Sequence, residues 1–368
     1  MNEYSSDFKN DSEHIMLSFC LPVYNVSVFL DDCIRSIIGQ HLAYKYEIIC
    51  VDDCSKDDSV QMLEQIKSSY KDDILVCFKI ILNEKNSGVC YSRNRAIAES
   101  KGKYIWFIDP DDMLVSDVVN SFISQAESRD ADVVLGNYKR VSEELHFQDV
   151  LFNSVSIDFF EKPSSNFPLP VDDNKKYMCA IWAGLFRRNF LLDNNLRFKE
   201  GMIAQEDTLF YYEFSQYTEN IYKTDSICYL YRQRNSSVMH SSSENRTKAY
   251  FESMKIMTAV YYDYFNKKNC EDIRLEKKIH HCKQNLVSTL AISKDHKYVK
   301  QQLELLKEKG WYPYRFRLEC LRGPGNPVEK VMNFLLPLEP LFWIVHFIYS
   351  TAYRAKIRKH KLVSADLR

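Results

Sequence analysis

From residue 15 onward, short apolar runs alternate with longer stretches of helical periodicity. Ile15 to Leu21 reads as a strand closed by Pro22-Val23-Tyr24-Asn25. Phe29, Leu30, Cys33, Ile34, Ile37 and Ile38 then share one face of a helix. Tyr46 to Val51 is a second strand ending in Asp52-Asp53, and Ser55-Lys56-Asp57-Asp58 carries a Ser-x-x-Asp start signal for a helix with Val60, Leu63 and Ile66. Ile74 to Leu82 is a third strand. Asn86-Ser87-Gly88 turns into a helix over 89–100, which Lys101-Gly102 stops. The run Lys103-Tyr104-Ile105-Trp106-Phe107-Ile108 is a fourth strand, and it ends in Asp109-Pro110-Asp111-Asp112. Strands separated by helices of this length predict an α/β protein with a doubly wound, mostly parallel sheet flanked by helices.

Further on, Asp132 to Asn137 predicts another strand, Tyr138 to Val155 a hairpin or flap, and Phe159 to Asp173 a loop. Tyr177 to Phe190 places Met178, Ile181, Trp182, Leu185 and Phe186 at helical spacing. A helix with an aromatic face follows Glu206-Asp207. Two helices over 244–293 and a third over 297–309 predict a C-terminal helical extension. The expected organisation is a sheet domain over 1–240, the helical extension over 241–325, and an apolar and basic tail over 326–368. In that tail Pro337, Glu339 and Pro340 interrupt the apolar run, so neither half is long enough to span a bilayer. Arg354, Lys356, Arg358, Lys359 and Lys361 follow it, a combination suited to lying on the anionic inner face of a cell membrane.

The totals narrow the field modestly. A net charge of −1 gives no global pull toward nucleic acid. The 11 cysteines are odd in number and scattered through apolar runs without a C-x-x-C pair, as expected for reduced thiols in a cytoplasmic protein. The polar first fourteen residues carry no secretory signal.

Chemistry gathers at one edge. In a doubly wound sheet, ligands bind beyond the carboxyl ends of the strands. Those ends carry Tyr24-Asn25, Asp52-Asp53, Asn86-Ser87-Gly88 and Asp109 to Asp112. Clustered carboxylates at a buried strand end suit a hard divalent cation, Mn2+ or Mg2+. A helix opened by Gly88 and followed by Arg93 and Arg95 suits a phosphate neighbour. Neither a G-x-G-x-x-G fingerprint nor a P-loop is present.

The series Pro22-Val23-Tyr24-Asn25, then Glu47 to Asp57 with Asp52-Asp53, then Asn86-Ser87-Gly88 with Ser92-Arg93-Asn94, then Phe107-Ile108-Asp109-Pro110-Asp111-Asp112 resembles the family 2 glycosyltransferases of the GT-A fold. The resemblance is specific through about residue 140, looser to about 240, and absent beyond. It departs at Cys54, where the family usually has glycine. It implies an inverting glycosyltransferase of surface-polysaccharide type that takes a UDP-sugar and a saccharide or lipid-linked saccharide acceptor. Pro22, Tyr24, Asn25, Asp53, Ser87, Gly88, Arg93 and Asn94 would line the nucleotide-sugar site, with Tyr24 near the base and Asp53 accepting from the uracil imide. Asp111 would ligate the metal, Asp109 would hold ribose or a metal-bound water as well as the metal, and Asp112 would support them in a DxD motif.

Downstream, an anonymous Asp at position 207 reads first as a cap of its helix, and the resemblance makes it instead the general base with Glu206 beside it. Trp182 would border the sugar. Arg232, Arg234 and His240 are alternatives for meeting the pyrophosphate. A nucleotidyltransferase would need a basic, glycine-rich triphosphate loop near the first strand, which Pro22-Val23-Tyr24-Asn25 is not. A catalytically dead scaffold need not keep all these acids.

Overall fold

The computed structural model describes residues 14–145, 180–218, 220–234, 244–267, 273–313 and 341–346. These fall into two compact units, the first holding the sheet (1–201 and 206–239) and the second holding 202–205 and 240–368.

In the first unit, β1 (Leu17–Val23), β2 (Tyr46–Asp52), β3 (Val76–Leu82) and β4 (Tyr104–Phe107) alternate with α1 (Ser27–Ile38), α2 (Ser59–Ser69) and α3 (Val89–Glu99). All four strands run parallel in the order β3-β2-β1-β4. β2 is buried at every position, which fits its apolar run Ile48 to Val51: a parallel strand covered by helices on both faces has no side to show water. The edge strand β3 is only half-buried and carries Lys79, whose ammonium pairs with buried Glu47 at 2.8 Å. Leu30, Cys33, Ile34 and Ile37 form the buried stripe of α1, as their spacing predicts.

The sheet continues beyond β4 in mixed sense. A two-residue strand β5 (Met113–Leu114), helix α4 (Val118–Ser128), β6 (Val133–Val141), β7 (Gly184–Arg187), α5 (Arg188–Asp193), α6 (Glu206–Phe214) and β8 (Ile221–Arg232) complete it. The order is β4-β7-β6-β8-β5, with β7 antiparallel to both neighbours, β6 parallel to β8, and β5 antiparallel to β8.

Three local expectations are corrected. The predicted helix over 177–190 is, in its described part, a 3-10 turn at Ile181–Ala183, then β7, then α5. Apolar residues at helical spacing cannot be told from a short buried strand by pattern alone, and here the open ladder positions of β4 and β6 decide the matter. The strand packs closely at Gly184, where a Cβ would stand 2.9 Å from the Phe186 ring. The Ser55-x-x-Asp58 signal does not cap α2. The helix starts later, at Ser59, and Asp57 instead accepts from the Ser59 backbone N–H and hydroxyl and from Ser27 N–H. The first strand runs on through Pro22 to Val23 instead of closing before it. Most of the expected hairpin over 138–155 and all of the loop over 159–173 lie outside the described residues, although β6 continues through Tyr138 to Val141.

The second unit contains α7 (Glu244–Lys267), α8 (Ile273–Ile292) and α9 (His296–Glu308), as the periodicity predicts. Asp295 caps α9 by accepting from Tyr298 N–H at 3.0 Å. A short helical stretch over 341–346 buries Phe342, Val345 and His346 and exposes Trp343 and Ile344. Among the described residues no helix is long and apolar enough to cross a membrane.

Candidate active site

The parallel strands end together, so Tyr24-Asn25, Asp53, Asn83 to Gly88 and Asp109 to Asp112 meet at one sheet edge. The registers fix this: Val23 lies opposite Asp52, Asp53 N–H donates to Val23 C=O, and Ile108 N–H donates to Cys20 C=O. The edge has two parts, one turned toward the nucleotide residues named from the sequence and one toward Glu206-Asp207.

On the first part, Asp53 is buried and organises the turn beside it. Its Oδ1 accepts from Asn83 Nδ2 at 2.7 Å and Ser87 N–H at 2.8 Å, and its Oδ2 accepts from Gly88 N–H at 2.7 Å. Gly88 sits at φ 88°, a conformation in which a side chain would be strained, and it opens α3. Asn83, which the sequence reading overlooked, also donates to Ser92 Oγ, so one amide ties β3, β2 and α3 together. An asparagine directly after a strand and just before a glycine turn was the available signal. Asn25 is left-handed at φ 51°; its Oδ1 accepts from Lys56 N–H, and its own N–H donates to Ser55 Oγ. Tyr24 projects from this corner 44% exposed, open to a flat ligand. Pro22 lies in β1 opposite Val51. Cys54 adopts φ 61°, so the turn tolerates the left-handed region without glycine, and its thiol contacts Asn83 C=O at 3.1 Å.

The second part centres on Arg93, 3% exposed. Its Nη2 donates to Asp109 Oδ1 at 2.9 Å, while its Nη1 donates to Asp207 Oδ1 at 3.1 Å and Glu206 Oε1 at 3.3 Å. Three carboxylates from two distant parts of the chain thus share one guanidinium. Burial pushes the Asp207 carboxyl up to about 7, with Arg93 opposing and Glu206 reinforcing the rise. Its Oδ2 accepts from Ile181 N–H at 3.0 Å, which orients the group. Asp207 lies in the first turn of α6.

Trp182, next to that anchor, is 8% exposed; it stacks on Tyr229 at 4.4 Å and on Tyr231 at 5.6 Å, and its carbonyl accepts from Trp106 Nε1. The expected sugar-bordering residue is therefore mainly part of an aromatic stack. Tyr229 also reaches the acid cluster, its hydroxyl accepting from Asp109 N–H at 3.0 Å.

Two expected ligand residues are held by the framework. Asn94 clamps Phe198 through both amide atoms, Nδ2 to C=O at 2.9 Å and Oδ1 from N–H at 2.8 Å. Arg232 is almost wholly buried and donates to Asp111 C=O, Glu143 C=O and Asp32 Oδ2. Its backbone N–H reaches Asp112 Oδ1 at 2.7 Å, and burial raises the Asp112 carboxyl well above the usual range. Of the three alternatives for the pyrophosphate, Arg234 faces the acids, its Nη2 2.6 Å from Asp111 Oδ2. His240 lies outside the described residues.

Among the described residues no three His, Cys, Asp or Glu side chains close round a point as a metal site of protein ligands alone. The acids nonetheless suit a hard cation in the mode in which one or two carboxylates share it with substrate phosphates. Asp111, partly exposed and already neutralised by an arginine, is the carboxylate best placed for that.

A mixed sheet of this order, with its acids at the parallel strand ends, defines a GT-A-type fold, and solved structures bear this out. S. aureus TarS 1-349 in complex with UDP-GlcNAc superposes with a TM-score of 0.54 at 20% identity, covering 93% of this chain and 92% of that one. Residues 18–192 match the model of glycosyl transferase family 2. Among curated relatives, the uncharacterized glycosyltransferase EpsJ of Bacillus subtilis is 28% identical over 61% of this chain and 62% of its own length. The poly(ribitol-phosphate) beta-N-acetylglucosaminyltransferase TarP of Staphylococcus aureus is 28% identical over 67% of this chain and 72% of its own. A Bacillus spizizenii poly(ribitol-phosphate) beta-glucosyltransferase is matched over only 28% of its length.

Proposed function

We propose that this chain is a family 2 glycosyltransferase that moves a sugar from a UDP-sugar to a saccharide hydroxyl with inversion, in the assembly of a surface polysaccharide or related glycoconjugate. The observation that carries the reading is the Arg93 network, which brings Asp109 of the nucleotide edge and Asp207 to a single guanidinium. Asp207 takes the acceptor proton while the acceptor oxygen attacks the anomeric carbon; the bond from that carbon to the diphosphate breaks, and UDP leaves with the electron pair. A carboxyl held near 7 suits a base working near neutrality. Tyr24 and Asp53 receive the uracil, with Pro22, Asn25, Ser87 and Gly88 shaping the same corner. Asp109 and Asp111 would hold Mn2+ or Mg2+, which would supply stabilisation of charge on the departing diphosphate. TarS in complex with UDP-GlcNAc supports the choice of uridine donor, and a Pyrobaculum calidifontis mannosyltransferase in complex with GDP-Man and Mn2+, of like fold at 12% identity, makes GDP-mannose the necessary control.

A donor screen following nucleoside diphosphate release, with and without Mn2+, is the test. Release of UDP from one UDP-sugar, dependent on added metal and acceptor, is expected; release of GDP alone would overturn the uridine assignment.

The same reading places the C-terminal region on the inner face of the cell membrane. Support comes from exposed Trp343 and Ile344 and from the basic run Arg354 to Lys361 in the sequence. Preferential sedimentation with anionic over neutral vesicles is expected, and equal sedimentation would remove it.

A further inference from the structure

Two arginines two residues apart leave the end of β8 with different fates. Arg232 is still in the ladder, opposite Val141, and all three nitrogens of its guanidinium have fixed partners. Arg234 lies just beyond the last backbone tie, Gln233 N–H to Val141 C=O. Its side chain is 19% exposed, its Nε has no hydrogen-bond partner, and its charge rests over the Phe29 ring at 5.3 Å and on Asp111 Oδ2 at 2.6 Å. Asp111 is held differently at its two ends. Its main-chain carbonyl is pinned by Arg232, while its carboxylate is gripped by a side chain that can change partners without disturbing a strand. A guanidinium on a partly buried carboxylate fills, in charge and in place, the role of a cation.

We propose that Arg234 is a built-in counter-cation of Asp111, which a divalent ion must displace and which then turns to the diphosphate, so that metal and nucleotide load together. This rests on the reading of Asp111 as a metal-binding carboxylate. The exchange balances in charge: the ion takes the carboxylate, and the guanidinium exchanges one anionic partner for another. Without nucleotide, a metal ion leaves Arg234 unpaired beside a cation and binds weakly. With UDP present, Arg234 has a new partner and the ion binds tightly. By linkage, metal then tightens UDP by the same factor.

The test is Mn2+ affinity of the full chain by electron paramagnetic resonance, with and without UDP. Wild type is expected to bind Mn2+ weakly alone and more tightly with UDP. Arg234→Gln should bind Mn2+ alone at least about fivefold more tightly than wild type, and its gain from UDP should shrink. Arg234→Lys, which keeps the charge and guards against a misfolded glutamine variant, should fall between the two. Mn2+ binding alone that is unchanged or weaker in Arg234→Gln would overturn the exchange while leaving the metal assignment standing. If wild type with UDP binds no Mn2+, the assignment of Asp111 to metal fails and the exchange goes with it.

Discussion

The two halves of the sheet differ in how they hold their chemistry. In the parallel half, β3-β2-β1-β4, polar groups are fixed by backbone: Asp53 is met by two main-chain amides of the Ser87-Gly88 turn. Where that half meets the mixed one, the groups are fixed by other charges, with Arg93 of α3 among three carboxylates and Arg232 and Arg234 of the β8 end on the Asp111-Asp112 side. Backbone donors make a preformed cradle that costs little to keep. Paired charges make an arrangement that one substitution unbalances, because a buried charge without its partner is expensive.

The sharpest break in that comparison is Asp207→Asn. It removes the base and leaves the parallel half intact, so transfer should fall by about 10²–10⁴-fold while UDP affinity holds. Wild-type turnover should rise with pH on an acidic limb near 7, because only the deprotonated carboxylate accepts a proton and burial holds this one at about 7. A pH–rate profile flat from 5 to 9, or near-normal turnover of the variant, would take Asp207 out of the chemistry.

Next in size is Arg93→Met. It leaves Asp109, Glu206 and Asp207 without their shared cation, a loss of roughly 3–5 kcal/mol for an unpaired buried charge. Thermal unfolding should drop accordingly. Since Arg93 opposes the rise at Asp207, any remaining activity should show its acidic limb moved to higher pH. A stable variant with an unmoved limb would mean that the acids are held by something other than Arg93.

The same division explains what the sequence disclosed. Parallel strands and their capping turns follow from local patterns, so β1 to β4, the three intervening helices and the acids at their ends were legible from apolar runs and from the family's motifs. The mixed half depends on distant partners. Nothing near Leu185 and Phe186 announces that they pair with β4 and β6. Arg93 is four residues into a helix, yet its partners include residues more than a hundred positions away. Arg232 and Arg234 look alike in the chain, and only the end of a ladder separates the buried one from the one facing Asp111.

Asn94 sharpens the boundary between binding and framework. Although it belongs to the motif with Arg93, its amide clamps the Phe198 backbone on both sides. Asn94→Ala should lower stability by about 1–3 kcal/mol, through two backbone groups left without their partner, and leave UDP affinity unchanged. Weaker UDP binding at unaltered stability would return Asn94 to the nucleotide site.

The smallest effect lies inside the parallel half, at Cys54. An L-residue in the left-handed region costs on the order of 1–2 kcal/mol, which glycine would not bear. Two things offset that gain in Cys54→Gly: the thiol contact with Asn83 C=O disappears, and glycine adds freedom to the unfolded chain. The net change should be a stabilisation below about 1 kcal/mol, read as a slightly higher denaturant midpoint. UDP binding should hold, because Asp53 keeps its amide donors from the Ser87-Gly88 turn. If Cys54→Gly instead weakens UDP binding, the thiol's hold on Asn83 is part of what positions Asp53, and the Asn83 side-chain donor matters to the cradle as much as the two backbone amides.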